Sequence, residues 1–176
     1  MIFSGVVVIA QEEEDCGKVT NKKIIKLLEQ SKDSKYEYRE RYQFLKDALA
    51  LDENCAPCLL EIGKRAFNKS QEEGTTTQYA EEYFKRLIDV CPKYNALPYY
   101  SLGVINYGRE DFENAIPWFK QFLEFKIEED SQVAPQHDEK VADVKDILPE
   151  IEFYATYFKK PVPFNPEPVL NVCTAA

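Results

Sequence analysis

The residues in this chain most able to do chemistry are its cysteines, and the pattern that stands out is Cys55-Ala-Pro-Cys58. Two thiols at this spacing form a redox dithiol or supply half of a zinc site. A thioredoxin-like dithiol wants a strand–helix–strand setting and a zinc site wants a second CxxC, and the sequence offers neither. Cys16 and Cys91 could complete four ligands if the fold gathers them. A Cys-rich metal-binding or redox protein using Cys16, Cys55, Cys58 and Cys91 therefore stands as the alternative reading. Five cysteines are an odd number, so at least one thiol stays unpaired or bonds elsewhere.

Acid–base chemistry finds less to work with. His137 is the only histidine and has no recognisable Ser or Cys nucleophile beside it, which reads as a solvated residue at a helix start. Glu12 and Glu14, Glu72 and Glu73, and Glu128 and Asp130 fall in polar runs, whereas catalysis needs carboxylates with shifted pKa values in a cleft. Six glycines form no phosphate-binding loop. Lys and Arg number 22 against 31 Asp and Glu, a net charge of -9, with no basic stripe to displace counterions from a phosphate backbone. The expectation is a non-enzymatic protein with no cofactor, no resident metal and no nucleic-acid partner, its acidity serving solubility.

The elements that must position these residues are helical. The 176 residues suffice for one domain with a core. Thr20-Asn21 can cap a helix carrying Ile24, Ile25, Leu27 and Leu28 and ending near Ser31. Tyr38, Tyr42, Leu45 and Leu49 mark a second helix. Ala56-Pro57 starts a third, since Pro in a first turn costs no helical hydrogen bond, and a loop follows at 70–77. The next helix holds Ala80, Phe84 and Leu87 and stops at Cys91-Pro92. A further pair begins near Ala96, and Pro117 inside its second helix should kink it or shift its start. After a polar run, Val141, Val144, Ile147, Leu148, Ile151, Tyr154 and Phe158 trace a helix that caps the open face of the array, with a kink at Pro149. Pro161, Pro163, Pro166 and Pro168 then hold the tail extended.

Two stretches can be laid over one another: Leu59-Leu60-Glu61-Ile62-Gly63 with Ala80 and Phe84, and Tyr99-Tyr100-Ser101-Leu102-Gly103 with Ala115 and Phe119. Small residues allow close helix crossings and aromatics fill the space between units. Ile62, Gly63, Ala80, Phe84, Leu102, Gly103, Ala115 and Phe119 are thus the expected packing residues. In an antiparallel pair the start of one helix lies beside the end of the other, so Cys55 or Cys58 should approach Cys91, with Cys16 on the same edge. Two disulfides are available if the Cα atoms come within about 7 Å.

With Ala48-Leu-Ala-Leu-Asp52 closing the first pair, and an Ala80-to-Pro92 spacing that fits a roughly 34-residue repeat, the stretch 22–127 resembles tetratricopeptide repeats. The fold implied is an all-α solenoid of about three helix pairs plus a capping helix and a Pro-rich extension. The resemblance also implies a concave groove lined by the first helix of each pair, with Lys64, Phe67, Tyr100, Val104 and Tyr107 as candidate partner-binding residues. Aromatics beside a cation suit an extended or helical peptide, while Phe67 and Tyr107 could equally be packing between repeats.

Residues 1–11 are apolar and end in Val8-Ile9-Ala10, side chains that a signal peptidase accepts, and read as the remnant of a signal peptide whose true start lies upstream. Asp15 disfavours lipidation of Cys16. Residues 12–160 then form the repeat domain with its cap, and 161–176 a linker toward an absent downstream domain. Cys16-Gly17, Cys55-Ala-Pro-Cys58, Cys91-Pro92 and Pro161-Val-Pro-Phe-Asn-Pro166 resemble the N-terminal repeat domain of PorE-like envelope proteins of Bacteroidetes, where a β-propeller and an OmpA-like domain follow. That resemblance implies an exported interaction scaffold in the periplasm or at the outer membrane, bound to a protein partner or neighbouring domain. It implies no transmembrane segment in the mature chain, and any cell-wall association would lie in the missing domains. It also marks Cys173, where the family has Ser, as the odd thiol.

Overall fold

The computed structural model describes residues 16–126 and 134–157. The signal-peptide remnant at 1–11, the acidic runs at 12–14 and 128–130, Phe158, and the 161–176 tail with Cys173 lie outside the described residues. Within them the fold is all-α, with seven helices and no strand: α1 (Lys22–Lys32), α2 (Tyr38–Leu51), α3 (Ala56–Glu73), α4 (Gln78–Val90), α5 (Leu97–Gly108), α6 (Phe112–Glu124) and α7 (Ala134–Tyr157).

Local chemistry sets most of the boundaries. The Asn21 side chain accepts a hydrogen bond from the Lys23 N–H at 2.9 Å and so satisfies a donor that α1 cannot. Glu37 and Glu40 form a capping box at the start of α2. Pro57 and Pro98 sit in the first turns of α3 and α5, where no amide donor is missed. Two expectations need correction. The loop foreseen at 70–77 begins later, because Ser70 is buried, donates its hydroxyl to the Phe67 carbonyl at 2.7 Å, and lets α3 run on to a left-handed Gly74. Of the two outcomes foreseen for Pro117, a shifted start is not seen: α6 runs from Phe112 to Glu124 with Pro117 inside it.

Packing follows chain order. α1 packs on α2, α3 on α4 and α5 on α6; α2 meets α3, α4 meets α5, α6 meets α7, and α3 also touches α5 directly. Gly63 and Gly103 are the close crossings. A methyl group on Gly63 would lie 2.7 Å from Phe84 Cε1, and one on Gly103 would lie 2.5 Å from Phe119 Cδ1. Ile62, Ala80, Phe84, Leu102, Ala115 and Phe119 are all fully buried around these crossings. Each buried Phe contributes on the order of 1.5–3 kcal/mol through area removed from water. α7 buries Val144 and Ile151 against Ala115, Phe119 and Phe122 and turns Asp138, Ala142, Lys145 and Asp146 to solvent.

Three arginines reach back by about one helix pair. Arg65 donates to the Ser31 carbonyl, Arg86 to the Glu53 carbonyl and Arg109 to the Thr77 hydroxyl, at sequence separations of 34, 33 and 32. Arg65 thereby satisfies a carbonyl in the last turn of α1, where the helical ladder leaves oxygens unpaired, and the other two tie down residues just outside helix ends. Nothing in the sequence reading singled them out.

Candidate partner-binding surface

The five candidate partner-binding residues divide by burial. Phe67 is half-buried with its ring 6.4 Å from Phe84, and Val104 packs on the cluster that Ala115 and Phe119 anchor. Tyr100 is also a packing residue, its ring 5.3 Å from Phe122 and 6.5 Å from Phe119. Burial, aided by the charges of Asp143 and Glu139, pushes the Tyr100 hydroxyl pKa up. Tyr107 is 39% exposed with its ring 5.9 Å from Phe112, whereas Phe67 is more buried and packs within its own helix pair. Lys64 keeps its ammonium partly in water while pairing with Glu61 at 3.2 Å.

α7 reaches further into this surface than a cap over the end of the array would. Lys140 holds its ammonium 5.4 Å from the Tyr100 ring centre, and His137 lies on Phe122 with ring centres 4.9 Å apart. His137 is therefore no solvated helix-start residue: its side chain is 13% exposed. α3, α5, α6, α7 and the residues just before α5 line a half-open pocket of about 150 Å³. Leu60, Ala96, Leu97 and Phe122 give it an apolar floor, and Lys64, Asn95, Gln136, His137 and Lys140 line the rest. Only Lys64 of this set was foreseen. The i, i+3 spacing of His137 and Lys140, one turn before Val141 and Val144, was the available signal, since it puts them near the apolar stripe of α7.

The cysteines pair differently from expectation. Cys91 bonds Cys16, with Cα atoms 5.6 Å apart, and Cys55 bonds Cys58, at 5.3 Å. The segment before α1 crosses to the end of α4, where Gly17, at φ +98°, presses its backbone against the Tyr94 ring. That route takes Cys16 to Cys91 and leaves Cys55 and Cys58 to each other. Cys55 is the N-cap of α3 and Cys58 lies three residues on, so the disulfide closes the first turn covalently without a side-chain capping hydrogen bond. Metal ligation by these four would require thiolates, and here all four sulfurs are bonded; a redox CxxC passes through just such a disulfide, and the side chains of Cys55, Cys58 and Cys91 are buried.

Among the described residues no three His, Cys, Asp or Glu side chains are grouped as a metal site would need, and no helix is long and apolar enough to cross a membrane. Glu72 and Glu73, expected in a polar run, belong to the last turn of α3, and Glu73 pairs loosely with Lys69. No protein-family model, no curated protein and no solved structure matches the chain.

Proposed function

We propose that this chain is a non-enzymatic interaction module of the tetratricopeptide type, exported to the bacterial cell envelope, that docks a protein partner or a neighbouring domain on its concave face. The observation that carries the reading is one crossing made twice: glycine in the first helix of a pair, alanine and phenylalanine four apart in the second, at Gly63 with Ala80 and Phe84 and again at Gly103 with Ala115 and Phe119. The arginine ties, spaced by 34, 33 and 32 residues, fit the roughly 34-residue period of such repeats. In that register Lys64 and Tyr107 stand on the groove side with side chains partly in solvent. Disulfides persist in oxidising compartments, which supports export.

Site-specific photo-cross-linking in envelope extract tests the proposal. A photoreactive residue at Tyr107 or Lys64 should trap one protein reproducibly. The same residue at Glu82, exposed on α4, should trap none. Equal labelling from all three positions would remove the concave face as the recognition surface.

A further inference from the structure

The geometry points to a second level of recognition: the pocket between α3, α5, α6 and α7 binds a single carboxylate carried on an apolar stem. Its floor is aliphatic and aromatic, and the polar side chains that line it include two cations, with Gln136 able to donate or to accept. Lys64 and Lys140 can only donate. Asn95 has already committed its carbonyl oxygen to the Leu97 N–H at 2.8 Å, so the amide it has left to offer is the NH₂. His137 Nε2 is buried and has no hydrogen-bond partner, which is a costly arrangement unless a ligand or water meets it. Among the described residues no carboxylate lines the pocket.

The neighbouring acids decide the charge of the ligand. Glu61 already holds Lys64 at 3.2 Å, and Glu139 and Asp143 act on Tyr100, over which Lys140 sits. With part of the positive charge answered, one further negative charge is complemented and two are not, which favours a carboxylate over a phosphate. No guanidinium fork is present among the lining residues, another absence that suits a carboxylate held at single points. A pocket of about 150 Å³ falls below the roughly 300 Å³ of ordinary small-molecule sites, so it admits a side chain or a short acid. The carboxylate could come from a glutamate of the docked partner or from a free short-chain acid. The first source rests on the concave-face reading above and the second does not.

His137 is the only histidine, so its imidazole gives one isolated NMR signal in the full-length chain. Titration with butyrate, with N-acetyl-Leu-Glu-Leu-amide, with n-butylamine and with inorganic phosphate separates the cases. A saturable shift with the two carboxylates and none with the amine or phosphate is expected. Lys64→Gln and Lys140→Gln should each weaken it about tenfold, as loss of a charge-assisted hydrogen bond does. Tighter binding of the peptide assigns a partner's side chain, and binding of butyrate alone assigns a free acid. No saturable shift, an equal shift with phosphate or amine, or indifference to both lysine variants overturns the inference. Should that happen while Tyr107 still cross-links its partner, the pocket fails and the docking face survives.

Discussion

The ring of Phe84 lies so near the Cα of Gly63 that a methyl group there would stand 2.7 Å from Cε1, closer than carbon atoms pack, and Phe119 crowds Gly103 more tightly still. Helix propensity alone favours Ala over Gly by about 1 kcal/mol, but crowding in a filled core costs about 1–3 kcal/mol. Gly63→Ala and Gly103→Ala should therefore destabilise the fold, Gly103→Ala more. Gly108, with nothing near its missing side chain, is the internal control: Gly108→Ala should be neutral or stabilise by about 0.5 kcal/mol. Urea midpoints of the three variants decide it, and a stabilised Gly103→Ala would mean the crossing is looser than described.

The two disulfides should differ in weight. Cys16 and Cys91 are 75 residues apart and Cys55 and Cys58 only three, so chain entropy assigns about 4 kcal/mol to the first and about 2 kcal/mol to the second. Cys16→Ser with Cys91→Ser should lower the melting temperature more than Cys55→Ser with Cys58→Ser, and dithiothreitol should have little further effect on the chain lacking both bonds. Calorimetry of the two double variants provides the comparison. Equal losses would place the benefit in local packing instead of in loop closure.

Tyr100 and Tyr107 stand at different depths on one helix. Truncating Tyr100 removes contacts to Phe119, Phe122 and the Lys140 ammonium, and should cost about 2–3 kcal/mol. Tyr107→Ala loses one partial contact with Phe112 and should cost about 0.5 kcal/mol or less. Thermal melts of both variants check this. Only Tyr107→Ala is then clean enough to test partner binding.

Helix order was legible because each start and stop carried its own chemistry: Asn21 as a cap, Ala56-Pro57 as a first turn, Cys91 before Pro92 as an end. Gly, Ala and Phe at helical spacing also lie where close crossings need them. Long-range partners were not legible. Nothing local says that Cys16 reaches Cys91 or that Arg65 reaches Ser31, since those meetings depend on how the segment before α1 and the neighbouring pairs stack. The pocket was missed for a related reason: His137 sits in a polar stretch of sequence, and only the path of α7 across Phe122 takes its ring out of water.

Glu81 makes stability depend on pH in a direction that can be derived. Burial pushes its carboxyl pKa up, but hydrogen bonds from Lys85 at 2.8 Å and Arg109 at 2.9 Å outweigh that and hold it below the ordinary 4.5. Arg109 also donates to Thr77, so the cluster pins the start of α4 to the turn between α5 and α6. A carboxylate more acidic in the folded chain than in the unfolded one stabilises fully above the unfolded pKa, and the contribution disappears as pH falls through the folded value. Glu81→Gln should therefore lower the urea midpoint at pH 7, by an amount matching about 1 kcal/mol or less for a partly solvated cluster. That deficit should hold down to about pH 5 and close below the ordinary glutamate range. Paired urea titrations of the two chains at pH 7, 4.5 and 3 measure the gap. A deficit that persists unchanged at pH 3 would mean that Glu81 acts through its shape and hydrogen-bond geometry, with its charge contributing nothing.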